Sequence, residues 1–304
     1  METPMRLDEA AFRATLQLVI PDVKNQDKIK GFGSGFLLRH KCQLFFITAD
    51  HVVHLDDHDE SNETGQRLGI DYTPQIITNI QNKGSLTSVI LPIGGFYHLT
   101  GFKMDKEDYS SPIEFFSTFN KIAERAIDIN DDSIPIDVRI ASFPDMAIAK
   151  MQEPLACPIL NNAVVDEDGN AIIAEGTPKI VLDSQYISSV DDKKWYIIAG
   201  TIGNYLKNSV ILERKNIEHA LLKYIGLDSD KNVLLETPEK PNIDLWSGLS
   251  GAPVLNEDGQ LVGMLIRGPK SEPIITVVPI DKIIWFLDII IQNEGSIEKM
   301  ETSL

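Results

Sequence analysis

Cysteine is scarce: Cys42 and Cys157 are the two in 304 residues. Two thiols are too few for a disulfide framework, and they share no metal-like spacing. Basic residues are also short, 28 Lys and Arg against 45 Asp and Glu, for a formal charge of −17. Phosphate recognition needs clustered cations, so nucleic acid is excluded as a partner. Long apolar runs are missing too. The stretch "IIWFLDIIIQ" is interrupted by Asp288 and falls short of a bilayer span. The opening "METPMRLDEAAFRATLQLVI" has acidic residues and no apolar core of signal-peptide length. These absences lead to the expectation of a soluble protein of the reducing cytoplasm, without membrane contact.

What is present reads as β structure. A chain of 304 residues with 43% hydrophobic content can bury two modest cores. Strands are expected at 14–20, in a hairpin over 33–49, and in 138–151, 178–190, 193–203, 208–214 and 273–280. Helices are expected within 111–127, at 216–225, and over 281–293. The last opens on Asp281 and packs through Ile283, Ile284, Phe286, Leu287 and Ile290, with a frayed end beyond it. Many strands with few helices exclude alternating βαβ units and favour barrels or a sandwich.

The most informative stretch is "LWSGLSGAPVLNEDGQLVGMLI" at 245–266. Glycines on both sides of Ser250 permit a sharp turn, and Asn-Glu-Asp-Gly marks a hairpin between two apolar strands. Such a serine is either a nucleophile or a turn residue. A nucleophile needs a base and a group to orient that base. The six histidines are His40, His51, His54, His58, His98 and His219, and none follows Ser250. That order, with alanine at 252, excludes the α/β-hydrolase elbow. His51 has the best context, at the end of an apolar strand in "ITADHVV". Asp145 opens "DMAIAKM" with a small residue two positions on. Asp137 is the rival, with Arg139 in the place of Ala147.

Taken in order, "GFGSGFLL", "FFITADHVV", "DMAIAKM" and "GLSGAPVLNEDGQLVGML" resemble the trypsin/chymotrypsin-like serine proteases, most closely their bacterial, disulfide-free, HtrA-like branch. The resemblance implies an all-β fold of two six-stranded antiparallel barrels. The first covers 10–155 and carries a long insertion at about 55–137; the second covers 156–280, and the C-terminal helix follows. It implies Ser250 as nucleophile, His51 as general base and later acid, and Asp145 fixing the tautomer of His51. The N–H groups of Gly248 and Ser250 would form the oxyanion hole, each such donor being worth about 3–4 kcal/mol in the transition state. The substrate would be a protein or peptide, with no cofactor and no metal.

Departures from that pattern carry their own expectations. Leu249 stands where digestive members have an aspartate, so activation by a trimmed N-terminus is not expected. Asp50 precedes His51, and a second acid there would raise the histidine's pKa. The insertion invites a regulatory protein partner or ligand. Asp244, six residues before Ser250, is either a turn or surface acid or, as the resemblance to trypsin implies, a specificity residue. The facing wall would then be Ile266, Arg267 and Gly268, with Ile274 plugging the depth and Arg267 neutralising the acid, and a weakly basic or mixed specificity is the expectation. The run "HVVHLDDHDE" lacks a metal-ligand spacing and reads as an acidic loop. Cys42 is expected to pack as a small hydrophobe. The competing function is a protease-like fold used as a binding module, inactive or activated by a partner.

Overall fold

Residues 15–21 alternate in what they face, and that alternation builds the first sheet. The computed structural model describes residues 5–22, 29–55, 72–82, 85–98, 145–153, 155, 158–166, 168–207 and 211–301. Strand β1 (Thr15–Pro21) sends Leu16, Leu18 and Ile20 into an apolar core. Thr15 lies on the other face, and its Oγ1 donates to the Ala199 carbonyl at 2.6 Å, in the second half of the chain. β2 (Ile29–His40) and β3 (Gln43–Thr48) form the expected hairpin, and β7 (Ala147–Met151) pairs with β3. The hairpin turns at Lys41 and Cys42, whose φ values of 47° and 63° place both in the left-handed region. Cys42 is exposed there. It does not pack as a small hydrophobe, because a two-residue turn points its side chains away from the sheet.

The expected insertion at 55–137 holds part of the sheet. β4 (Gln75–Asn82), β5 (Ser85–Pro92) and β6 (Phe96–His98) lie inside it. β4 pairs with β1, through Leu18 opposite Ile76, and β6 pairs with β7. The first half is an eight-stranded sheet in the order β5-β4-β1-β2-β3-β7-β6, with β10 (Leu182–Asp183) parallel to β2. Among the described residues it is open, with β5 and β6 as edges. The helix expected within 111–127 and the strand at 138–143 lie outside the described residues. β8 (Val164–Val165) and β9 (Ala171–Ile173) make a small separate ladder.

The second half closes into the expected six-stranded antiparallel barrel. Its order is β11-β12-β13-β16-β15-β14. The strands are β11 (Trp195–Lys207), β12 (Ile211–Leu227), β13 (Val233–Glu236), β14 (Pro253–Asn256), β15 (Leu261–Arg267) and β16 (Ile274–Pro279). β12 replaces the helix expected at 216–225. Its residues pair with β11 from Trp195 opposite Lys223 to Lys207 opposite Ile211, and a ladder of that length overrides weak local helix preference. Three turns share one chemistry: Asp166, Asp228 and Asn256 each accept with Oδ1 from the N–H groups two and four residues on, at 2.8–3.1 Å.

Two helices brace the sheets. α1 (Leu7–Ala14) was not expected from the sequence; it buries Ala11, Phe12 and Ala14 and carries a Glu9–Arg13 pair one turn apart. Lys179 closes its end by donating to the carbonyls of Phe12 and Thr15, groups that a helix terminus leaves without intrahelical partners. At the other end, α3 (Ile280–Glu301) starts one residue before the expected Asp281 and runs past 293. Ile283, Phe286, Leu287 and Ile290 are buried, Ile284 only partly. Asp288 of this helix binds His40 Nε2 and Lys41 Nζ, each at 2.7 Å, tying the helix to the first hairpin. Against the opposing effect of burial, the hydrogen bonds from Lys41 and His40 hold its carboxyl below the ordinary range.

Candidate active site

Adjacent strand ends bring His51 and Asp145 together. Thr48, the last residue of β3, lies opposite Ala147, the first of β7. The single turn α2 (Asp50–Val53) follows β3, so His51 emerges beside the residue that leads into β7. Asp145 grips it twice: Oδ1 accepts the His51 backbone N–H at 2.9 Å, and Oδ2 accepts the ring Nδ1–H at 2.6 Å. With Nδ1 donating, Nε2 is left as the basic nitrogen. The ring is part-exposed and the carboxylate less so. Asp50 is engaged elsewhere. Its buried carboxylate binds His54 Nδ1 at 2.8 Å, one turn along α2. The rival Asp137 lies outside the described residues.

The Ser250 loop is shaped by backbone bonds and two glycines. A 3₁₀ turn (Ile243–Leu245) leads in, with Ser247 N–H on the Ile243 carbonyl, Leu249 on Trp246 and Ala252 on Leu249. Gly248 and Gly251 have φ values of 93° and 92°, a conformation that a Cβ opposes. Leu249 is fully buried and packs on Gly200, an apolar contact that makes no ion pair. Among the described residues, no acceptor takes the N–H of Gly248 or of Ser250, while their neighbours at 247, 249, 251 and 252 are all bonded.

Ser34 joins the two halves at this point. Its N–H donates to the Ser250 carbonyl at 2.7 Å, and its Oγ donates to the Gly248 carbonyl at 2.7 Å. Its own carbonyl accepts from Thr48 Oγ1 at 2.7 Å. Thr48 stands three residues before His51, so one residue of β2 touches the supports of both the imidazole and the serine. Gly251 sits against the same group: a Cβ there would lie 1.9 Å from Ser34 O and 2.7 Å from Thr48 Oγ1. Sequence reasoning missed Ser34 and Thr48, although both lie inside the stretches "GFGSGFLL" and "FFITADHVV".

The expected pocket residues fall in different surroundings. Asp244 is exposed on the 3₁₀ turn, its N–H bonded to Asn242 Oδ1 at 3.2 Å. Arg267 is exposed, and among the described residues the two form no ion pair. Ile266 is only 3% exposed and packs in the core that includes the first sheet. Gly268 lies against Trp246, whose Cβ would be 2.7 Å from a Cβ at 268, so the segments around 246 and 268 are brought together. Ile274 is half-buried opposite Glu236. Behind the loop sits His219, which the sequence reading placed in a helix. Its ring stacks on Trp246 at 3.6 Å. Burial pushes its pKa below the ordinary value, with the Leu245 carbonyl and Glu239 pulling the other way.

No protein-family model matches the chain, and no curated protein matches it either. Three solved structures that align with it are proteases. A mutant of the tobacco etch virus protease aligns at 10% identity over 94% of this chain and 81% of that one, with a TM-score of 0.43. A serine endoprotease from Yersinia pestis aligns at 12% identity over 97% and 69%, with a TM-score of 0.41. The protease of tobacco vein mottling virus aligns at 7% identity over 92% and 82%, with a TM-score of 0.39. At such scores the likeness adds nothing to the strand pairing, which by itself carries the fold. Among the described residues, no three His, Cys, Asp or Glu side chains are grouped to hold a metal ion, and residues 56–60 of the "HVVHLDDHDE" run lie outside them. No helix of the described residues is long and apolar enough to cross a membrane.

Proposed function

We propose that the chain is a serine endopeptidase of the chymotrypsin-like, disulfide-free, HtrA-like kind, hydrolysing peptide bonds through an acyl-enzyme. Ser250 Oγ attacks the scissile carbonyl while His51 Nε2 takes its proton. The N–H groups of Gly248 and Ser250 hold the oxyanion. His51 then returns the proton to the leaving amine, and water repeats the sequence to free the enzyme. Asp145 keeps the ring in the tautomer with Nδ1–H and stabilises the imidazolium as it forms. The observation that carries this reading is the double grip of Asp145 on His51, through ring and backbone together. A structural aspartate at a strand end has no need to select the tautomer of a part-exposed imidazole.

Substrates are extended polypeptides, and the primary specificity proposed is weakly basic or mixed, on the exposed carboxylate of Asp244 near the serine loop. Residence in the cytoplasm and gating by a protein partner or ligand belong to the same proposal. The gating element is not the whole of 55–137, because removing it would delete three strands of the first sheet.

A fluorophosphonate probe tests the reading. Ser250 Oγ forms a phosphonate ester with it and fluoride leaves, so the wild type is expected to label and Ser250→Ala is not. Absence of label on folded wild-type protein, alone and with candidate partners, would leave the binding module standing in its place. A peptide library dominated by large aromatic residues at the cleavage position would contradict the specificity.

A further inference from the structure

Ser34 holds the Gly248–Ser250 loop from the first sheet, and a second holdfast lies on the opposite side, inside the barrel. His219 projects from β12, opposite Ile198 of β11, and is 1% exposed. Its ring is fixed in three directions. The Trp246 indole stacks on it with centroids 3.6 Å apart and planes 6° from parallel. Nε2 lies 3.0 Å from the Leu245 carbonyl, and Nδ1 lies 3.2 Å from Glu239 Oε2. Both nitrogens therefore face acceptors. The Leu245 carbonyl can only accept, so Nε2 carries a proton and donates to it, while Nδ1 is turned toward Glu239.

We propose that His219 is a positioning residue that sets the Ser250 loop through Leu245 and Trp246, an inference that rests on the peptidase reading. The path is short and continuous. Leu245 and Trp246 are the last residues of the 3₁₀ turn and its cap. The Trp246 carbonyl accepts the Leu249 N–H at 3.0 Å, and the Leu249 carbonyl accepts the Ala252 N–H at 2.8 Å. The direction of the 248 and 250 amides is thus fixed between His219 on one side and Ser34 on the other. His219 reaches no substrate, since it is buried in the barrel beneath Trp246. Its effect is on where the oxyanion donors point, and donors that are misaimed lose the transition state more than the bound substrate.

Three variants test the assignment by steady-state peptide hydrolysis, fluorophosphonate labelling and thermal unfolding. His219→Phe keeps a flat ring against Trp246 and removes both polar contacts; kcat and labelling rate are expected to fall about 10²-fold, with KM within about 3-fold of wild type. His219→Gln restores a donor toward the Leu245 carbonyl and is expected to recover kcat to within about 10-fold of wild type. Glu239→Gln, at a half-exposed position that leaves the core intact, is expected to lower kcat by about 3- to 10-fold with an unchanged melting temperature. His219→Phe with wild-type kcat and only a lowered melting temperature would make His219 an ordinary core residue, and so would Glu239→Gln with unchanged kcat should His219→Phe fail to fold. Wild-type protein that neither hydrolyses nor labels would bring down the peptidase reading itself, an outcome distinct from active wild type with indifferent variants.

Discussion

Ser250→Ala is expected to lower kcat by a factor on the order of 10⁴–10⁶, His51→Ala by a similar factor, and the double variant by little more. On the proposed mechanism the hydroxyl is reactive only while the imidazole takes its proton. Once either is gone, the remaining member has nothing to act on. Asp145→Asn tests the third member at finer grain. Asparagine Oδ1 still accepts the His51 backbone N–H, so the loop keeps its shape. Its amide nitrogen, however, presents a donor to Nδ1 where the carboxylate presented an acceptor. The ring must then carry its proton on Nε2, where it cannot receive one from Ser250, and a loss of about 10⁴-fold in kcat with KM little changed follows. Peptide hydrolysis on the four variants, with circular dichroism to verify folding, is the check. Independent, multiplying losses for Ser250 and His51 would contradict the mechanism.

Gly251→Ala carries the second large effect. The new methyl would stand 1.9 Å from the Ser34 carbonyl and 2.7 Å from Thr48 Oγ1, on a residue held at φ 92°. Left-handed strain costs about 1–3 kcal/mol and overpacking a similar amount, so about 2–6 kcal/mol of folding stability is at stake. The methyl also drives the serine loop off β2, and a displacement near 1 Å at a catalytic group is enough for about a 10²-fold loss of turnover. Gly259→Ala separates the two contributions. Its φ is 76°, yet the nearest atom to a new Cβ would be Leu7 Cδ1 at 3.9 Å, so only backbone strain remains. Urea unfolding should show Gly251→Ala well below Gly259→Ala, and hydrolysis should fall only in the former. Equal stability and activity for the two would refute the close packing against Ser34.

The parts of this molecule legible in its sequence are those written in short stretches. The hairpin of β2 and β3, the β14–β15 turn and the C-terminal helix each declare themselves within about twenty residues, through alternation, turn chemistry and a 3.6-residue period. The order His, Asp, Ser could be read because each residue sits at a strand end or a glycine turn. What escaped depends on distant partners. Nothing local in 75–98 says that β4 will pair with Leu18 or that β6 will pair with Ala147, so these strands passed for an insertion. β12 resembled a helix because its ladder partner is supplied from β11. His219 and Ser34 were invisible for the same reason: their meaning lies in Leu245, Trp246, Gly248 and Ser250, which reach them only after both halves have folded.

Ser34 spends its amide and hydroxyl on the serine loop of the second half and its carbonyl on β3 of the first. Two halves riveted in this way cannot swing apart at Ser34 without tearing out the bonds that hold the serine loop. On the proposed peptidase reading, adaptation to differently shaped polypeptides comes from side chains at the rim, while the floor stays still.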